Sequence, residues 1–173
     1  GAQFTNAYCA SPLCQPARVS LITGFYPSQT GVCGNSNPPV RKELRDDTFM
    51  HHLRRAGYYT AMIGKHHYID RYGQGVDAVR EDDEEIKRYG FDHVWQVLID
   101  TGTINDNDCR HSHFMRQEGG DELVREYARR RHEDSRQCKP FVLDEKFFDD
   151  VYISNCGLDW LRKYDRDQPF YLN

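Results

Sequence analysis

Residues 45–64 read RDDTFMHHLRRAGYYTAMIG and contain a predicted helix that leads directly into a predicted strand. Asp47 or Thr48 is a suitable N-cap for the helix, and Gly57 is placed to end it. The apolar residues on one face of this helix are Phe49, Leu53 and Ala56. The stretch YYTAMIG is typical of a buried strand. Because a helix that passes through one glycine into an apolar strand resembles the second half of a βαβ unit, the sequence predicts an α/β fold with a mostly parallel sheet.

The other predicted elements continue the α/β order on both sides of this unit. They are a short helix at 16–23, a loop at 25–40, an acidic helix at 82–89, a strand at 91–98, a polar loop at 100–120, a helix from Asp121, a helix at 144–164 and a strand beginning in PFYLN at 169–173. No composition shift marks an internal boundary in the 173 residues, so 1–173 are expected to form part of one domain. The chain opens without an initiator methionine and closes on a predicted strand, so we expect a fragment that lacks a first strand and a C-terminal portion.

The composition excludes some classes of function. The 23 basic residues are outnumbered by 27 acidic ones and the net charge is −4, so no nucleic-acid partner is expected. No apolar stretch approaches the roughly 20 residues that a membrane span needs. The six cysteines match no small disulfide scaffold and leave the redox compartment open.

The stretch CQPARVSLITG at 14–24 places a cysteine at the start of a predicted helix. Pro16 suits the first position of a helix, where its missing N–H would be unpaired, and Gly24 suits a left-handed C-terminal cap. A thiol at a helix N-terminus meets unpaired N–H groups and the positive end of the helix dipole, which favours a reactive cysteine. A small apolar filler is the alternative for Cys14 on these grounds alone.

The pattern around Cys14 resembles the signature of the type I sulfatases, members of the alkaline phosphatase-like superfamily. Its fixed positions are Cys14, Pro16, Arg18, Thr23 and Gly24. The other cysteines serve as internal controls: Cys138 has a proline at plus two but valine in place of the arginine, and the remaining four lack the proline. The resemblance implies that Cys14 is oxidised to formylglycine, with Arg18 supporting the finished site.

A second block, YYTAMIGKHHYID at 58–70, resembles the strand of this family that ends in Gly-Lys-Trp-His. It matches at Gly64, Lys65 and His67, whereas His66 stands in the place of the tryptophan. Carried over by position, Lys65 would bind a sulfate oxygen and His67 would be a catalytic residue beside the formylglycine. Weaker likeness covers most of the remaining chain and is lowest at 100–140.

The resemblance implies an alkaline phosphatase-like sandwich whose mostly parallel sheet is flanked by helices. The implied reaction is hydrolysis of a sulfate ester on a small molecule or carbohydrate, with one divalent ion, usually Ca²⁺, bound to the formylglycine oxygen. Cys14, as formylglycine, would be the one metal ligand in this chain. A formylglycine-generating enzyme or an anaerobic maturase would be a partner. The fragment alone is expected to be inactive.

Other interpretations remain open at the level of sequence. Related phosphonate monoester hydrolases and phosphodiesterases share the nucleophile, and a truncated, noncatalytic binding module belongs to a different class. Asp46-Asp47 and Asp82-Asp83 are interpreted as helix caps and not as metal ligands. Cys109, His111 and His113 could belong to a zinc site, to a loop over the active site or to plain surface. The absence of an Asn-x-Ser/Thr sequon favours a periplasmic or secreted bacterial enzyme.

Overall fold

The computed structural model describes residues 1–35, 40–69, 75–97, 109–134, 140 and 142–173. Its helices are α1 (Cys14–Thr23), α2 (Pro27–Thr30), α3 (Lys42–Arg45), α4 (Phe49–Arg55), α5 (Gly75–Lys87), α6 (Arg110–Asp134) and α7 (Asp149–Lys163), with a 3-10 turn at Glu145–Phe147. The strands are β1 (Tyr59–Gly64), β2 (His93–Gln96) and β3 (Phe170–Leu172). Within these ranges, no helix has both the length and the apolar character needed to cross a membrane.

The described strands form one parallel sheet in the order β2-β1-β3. In this register Ala61 of β1 is paired with His93 of β2 on one side and with Leu172 of β3 on the other. Most residues of the central strand are buried, which explains why its sequence is a continuous apolar run and not an alternating one. The predicted α/β fold with a parallel sheet is confirmed.

Helix α1 begins at Cys14, two residues before the predicted start. Its first helical hydrogen bond runs from the Ala17 N–H to the Leu13 carbonyl at 3.0 Å. Pro16 is therefore the third residue and not the first, but it still lies in the first turn, where an N–H has no helical partner. Gly24 has φ of 75° and ends the helix as predicted.

Helix α4 and strand β1 form the predicted unit, but the residues that α4 buries differ from the predicted apolar face. Thr48 occupies the N-cap position, but its side chain accepts no hydrogen bond from the helix. Its hydroxyl donates instead to the Tyr89 carbonyl. Met50 is fully buried, whereas Ala56 is exposed because the helix ends at Arg55 and the chain turns away. The predicted apolar face is therefore wrong at Ala56, while Gly57, with φ of 88°, lies between the helix and the strand as expected.

Among the described residues, two clusters of buried side chains hold the fold together. The larger joins α1, α4, α5 and the sheet through Val19, Ile22, Val32, Val40, Met50, Met62, Tyr68, Ile69, Ile86, Tyr89, Phe91 and Val94. The smaller joins α6 to the 3-10 turn through Met115, Val124, Tyr127, Ala128 and Phe147. Since α1 and β1 share the larger core, the two sequence motifs are carried by elements that pack together.

The prediction of a polar loop at 100–120 is wrong where it can be compared with the structure. Residues 100–108 lie outside the described residues, and helix α6 begins at Arg110. Cys109, His111 and Met115 are buried. His111 packs against the ring of Tyr152 on α7 and Met115 belongs to the same apolar cluster as Phe147, which accounts for the helical conformation of this polar stretch. Gly119 and Gly120 break α6, with φ of −153° and 70°, so a second helical segment starts at Asp121 as predicted.

Asp82 and Asp83 do not cap a helix, because α5 begins at Gly75 and contains both of them. Their side chains are buried. In the other pair, Asp46 follows the last residue of α3, and the Asp47 carboxylate accepts a hydrogen bond from Arg55.

The helix predicted at 144–164 starts later than predicted, at Asp149 after the 3-10 turn. Its predicted apolar residues Leu158 and Leu161 are 47% and 40% exposed.

Candidate active site

The second motif follows the carboxyl end of β1. Gly64 is the last residue of the strand and has φ of 111°, a backbone conformation that favours glycine. A Cβ at this position would lie 3.0 Å from a methyl carbon of Ile153 on α7. Glycine is therefore needed both for the turn and for the close approach of α7. The turn places Lys65, His66 and His67 at the end of the sheet where α/β proteins bind ligands.

His67 has an unusual backbone conformation. Its φ is 55°, and among the described residues it is the only one other than glycine with a positive φ. The residue is 7% exposed. Left-handed backbone is uncommon for a non-glycine residue, and such strain is concentrated at functional sites. This observation supports the sequence-based choice of His67.

Arg18 connects the two motifs. Its Nη1 atom donates to the carbonyl oxygen of Lys65 at 3.1 Å, a contact between residues 47 positions apart. Cys14 lies on the same helix, four residues before Arg18, which corresponds to about 6 Å along the helix axis. The hydrogen bond therefore ties the helix that begins with Cys14 to the turn that carries Lys65 and His67.

Cys14 is exposed at the start of α1 and contributes to a groove of about 680 Å³. The groove is lined by the N-terminal segment and one face of α1: Ala7, Tyr8, Cys9, Ala10, Pro12, Leu13, Cys14, Ala17, Arg18, Ser20 and Leu21. Arg18 supplies the positive charge of this lining. A nucleophile at position 14 would thus be accessible to a ligand that brings an anionic group close to a guanidinium.

Asn35 is a site residue that the sequence did not indicate. Its Oδ1 accepts from the backbone N–H of Gln15 at 3.0 Å, in the first turn of α1. The N-cap position is Leu13, whose side chain makes no capping hydrogen bond. An amide 20 residues away therefore supplies the polar partner for the turn that begins with Cys14. No local pattern could reveal this contact, because it depends on the path of the loop after α2.

His66 lies beneath this site, where the family resemblance places a tryptophan. The side chain is 1% exposed, and its ring packs against the ring of Tyr68 with centroids 5.7 Å apart. Burial lowers the pKa of His66 to about 3; the nearby Gln96 amide opposes this shift, and the neighbouring His67, Arg18 and Lys65 side chains add to it. Nδ1 accepts from the Tyr68 N–H at 3.1 Å, which requires a lone pair on that nitrogen. His66 is a neutral packing residue.

Replacing His66 with asparagine should make the protein less sensitive to acid. In the unfolded chain the pKa of His66 returns to about 6.5, so unfolding takes up a proton between pH 6.5 and 3, and the free energy of unfolding falls as the pH falls through this window. Between pH 7 and pH 5 the free energy of unfolding should therefore fall by about 2 kcal/mol more in wild type than in His66→Asn. Asparagine can keep the acceptor for the Tyr68 N–H.

Urea unfolding of the full-length protein at pH 7 and pH 5 measures this difference. His52→Asn is the matched control, because His52 is an exposed histidine on α4. Equal acid sensitivity of wild type and His66→Asn would show that His66 does not make this contribution.

The described residues do not form a metal site by themselves. Among them, no three His, Cys, Asp or Glu side chains come together as a candidate cluster. Cys109 and His111 are buried, and the His111 Nε2 atom lies 3.0 Å from the Phe147 carbonyl, whereas His113 is exposed beside Gln117. These three residues therefore face different surroundings, and the buried positions of Cys109 and His111 contradict their placement in a surface loop.

A protein-family model described as Sulfatase matches residues 1–172. Choline-sulfatase from Rhizobium meliloti (strain 1021) is 48% identical over 68 residues, which cover 39% of this chain and 13% of that protein. The match of the family model covers nearly the whole chain and so extends well beyond the two motifs.

Two solved structures resemble this chain. A protein in complex with its substrate D-glucosamine-2-N,6-O-disulfate has a TM-score of 0.52 and 22% identity, covering 97% of this chain and 25% of that chain. The phosphonate monoester hydrolase of Agrobacterium radiobacter has a TM-score of 0.58 and 19% identity, covering 95% and 31%. These likenesses establish the alkaline phosphatase-like fold. The chain spans less than a third of the length of each of these proteins. Since the family model matches residues 1–172, the chain belongs to the sulfatase family.

Proposed function

We propose that the full-length protein hydrolyses sulfate esters through a formylglycine made from Cys14. The observation that carries this proposal is the hydrogen bond from Arg18 to the Lys65 carbonyl, because it joins the two family motifs in one place. The exposure of Cys14 and the strained backbone of His67 support the same site. Residues 1–173 would be the N-terminal part of the catalytic domain, with no internal boundary.

The proposed chemistry needs cationic side chains next to the sulfuryl oxygens, to stabilise their negative charge, and a proton for the departing alcohol. Lys65 would bind a sulfate oxygen, and Arg18 would brace the turn that carries it. His67 would exchange a proton beside the nucleophile. When present, the hydrated formylglycine supplies two hydroxyl groups, one to attack sulfur and one whose deprotonation expels sulfate and regenerates the aldehyde.

A divalent ion, Ca²⁺ by resemblance, is also part of the proposal, but the described residues alone do not provide its site. The described residues contain no cluster of three candidate ligands, whereas Ca²⁺ takes six to eight oxygen ligands. Position 14, as formylglycine, would supply one oxygen. We propose that the remaining ligands lie in parts of the parent protein that this chain does not cover.

A sulfated carbohydrate or small molecule is the proposed substrate. The support is a solved relative in complex with a sulfated sugar, D-glucosamine-2-N,6-O-disulfate. A maturation enzyme that oxidises Cys14 would be a necessary partner, because the formylglycine is not encoded. The proposed location of the full-length protein is periplasmic or secreted.

The substrate assay should separate the proposed function from its main alternative. The phosphonate monoester hydrolase has the same fold, so the fold does not choose between the two esters. With aryl esters of matched leaving group, kcat/KM of the purified full-length protein should be higher for the sulfate monoester than for the phosphonate monoester or the phosphate diester, by about tenfold or more. The reverse order would favour the phosphonate hydrolase.

A noncatalytic binding module is distinguished by intact mass. Conversion of the thiol to an aldehyde lowers the mass of the Cys14 peptide by about 18 Da. An unmodified Cys14 in protein made together with an active maturation enzyme would argue for the binding module.

A further inference from the structure

A buried ion pair holds the end of β2 next to the candidate active site. Arg110 at the start of α6 pairs with Asp83 of α5 through two contacts, Nη2 to Oδ2 at 2.5 Å and Nη1 to Oδ1 at 3.3 Å. The two side chains are 13% and 8% exposed. The guanidinium also lies 4.1 Å from the centre of the Trp95 ring. Planar pairing and stacking together fix the orientation of Arg110.

The two side chains of this pair form hydrogen bonds with both backbone polar groups of Gln96. The Gln96 N–H donates to Asp83 Oδ1 at 3.3 Å, and Arg110 Nη1 donates to the Gln96 carbonyl at 3.0 Å. Gln96 is the last residue of β2 and is paired in register with Gly64. The next residue, Val97, donates its N–H to the Gly64 carbonyl at 3.1 Å. The ion pair thus fixes the residues directly opposite the glycine that starts the Lys65–His67 turn.

The path from the ion pair to the turn therefore runs through the backbone of Gln96, Val97 and Gly64. This path does not include Cys14 or Arg18.

We propose that Asp83 and Arg110 are a positioning pair for catalysis, which sets the geometry of the Lys65–His67 turn by holding Gln96. Neither residue reaches the groove lining at Cys14, so both act through other groups. This inference rests on the proposed function. A displacement of about 1 Å in such a turn is enough to lower a catalytic rate by about 100-fold.

The test replaces Arg110 with methionine in the full-length, matured protein. Arg45→Met is the matched control, because Arg45 also pairs with a carboxylate of α5, Glu85, at 3.2 Å and is 19% exposed, but that pair does not contact Gln96. With an aryl sulfate as substrate, Arg110→Met should lower kcat by about 10- to 100-fold at a temperature where both variants are folded. Arg45→Met should stay within about twofold of wild type.

Hydrogen exchange gives a second readout that does not depend on activity. The amides of Gln96, Val97 and residues 65–67 should exchange faster in Arg110→Met and at the wild-type rate in Arg45→Met. If Arg110→Met does not fold, Asp83→Asn preserves the shape of the partner and should show the same pattern. Equal kcat and equal exchange in Arg110→Met and wild type would overturn the inference. An inactive wild-type protein would contradict the proposed function instead, and the exchange pattern would still test the positioning pair.

Discussion

Replacing Cys14 with alanine is expected to abolish turnover in the full-length protein, lowering kcat by about 10⁴-fold or more. The reason is that alanine cannot be oxidised to formylglycine, so the nucleophile is never formed. The fold should be retained, because Cys14 is exposed and alanine is a good helix former. The measurement is kcat with an aryl sulfate, alongside the melting temperature.

Cys9→Ala is the matched control for Cys14. Cys9 is also an exposed thiol and lines the same groove, but it has no proline at plus two. Its replacement should leave kcat within about twofold of wild type, and the loss of about 18 Da at Cys14 should be unaffected. Near wild-type activity in Cys14→Ala would refute the proposed nucleophile.

Replacing His67 with asparagine should give the second-largest loss, about 10²- to 10⁴-fold in kcat. Asparagine tolerates the left-handed backbone that this position requires, so the strained turn can be kept while the imidazole is removed. A residue that exchanges a proton with the leaving group should also contribute one limb of the pH–rate profile. That limb should disappear in the variant.

The pH–rate profile separates catalysis by His67 from mere support of the turn. His52→Asn serves as control, since His52 lies on the exposed face of α4. It should keep both the rate and the shape of the profile. A His67→Asn enzyme with reduced kcat but an unchanged pH profile would make His67 a structural residue.

Secondary structure with strong local patterns could be predicted, and boundaries set by packing could not. The apolar run of β1 and the glycine after α4 indicated a parallel α/β unit because both signals lie in adjacent residues. The stretch Cys109–Met115 is rich in polar residues and gave no helical pattern, yet it is helical from Arg110 because its buried side chains find partners on other elements. The interpretation of Asp82 and Asp83 as helix caps is wrong because α5 begins at Gly75, well before them.

The sequence by itself determined the family and the candidate residues Cys14, Arg18, Lys65 and His67. These residues belong to two short patterns with fixed spacing, which a linear chain displays directly. The family model confirms the membership, while the roles of the four residues stay proposals.

Only the tertiary structure decided how these residues are held. The contacts of Arg18 with Lys65, of Asn35 with Gln15 and of Arg110 with Asp83 join residues 47, 20 and 27 positions apart. Such contacts depend on how the helices pack against the sheet, and no periodicity or spacing records them. Burial is likewise a property of the fold: it makes His66, which is 1% exposed, a neutral packing residue beneath the site, and no local sequence pattern indicates this.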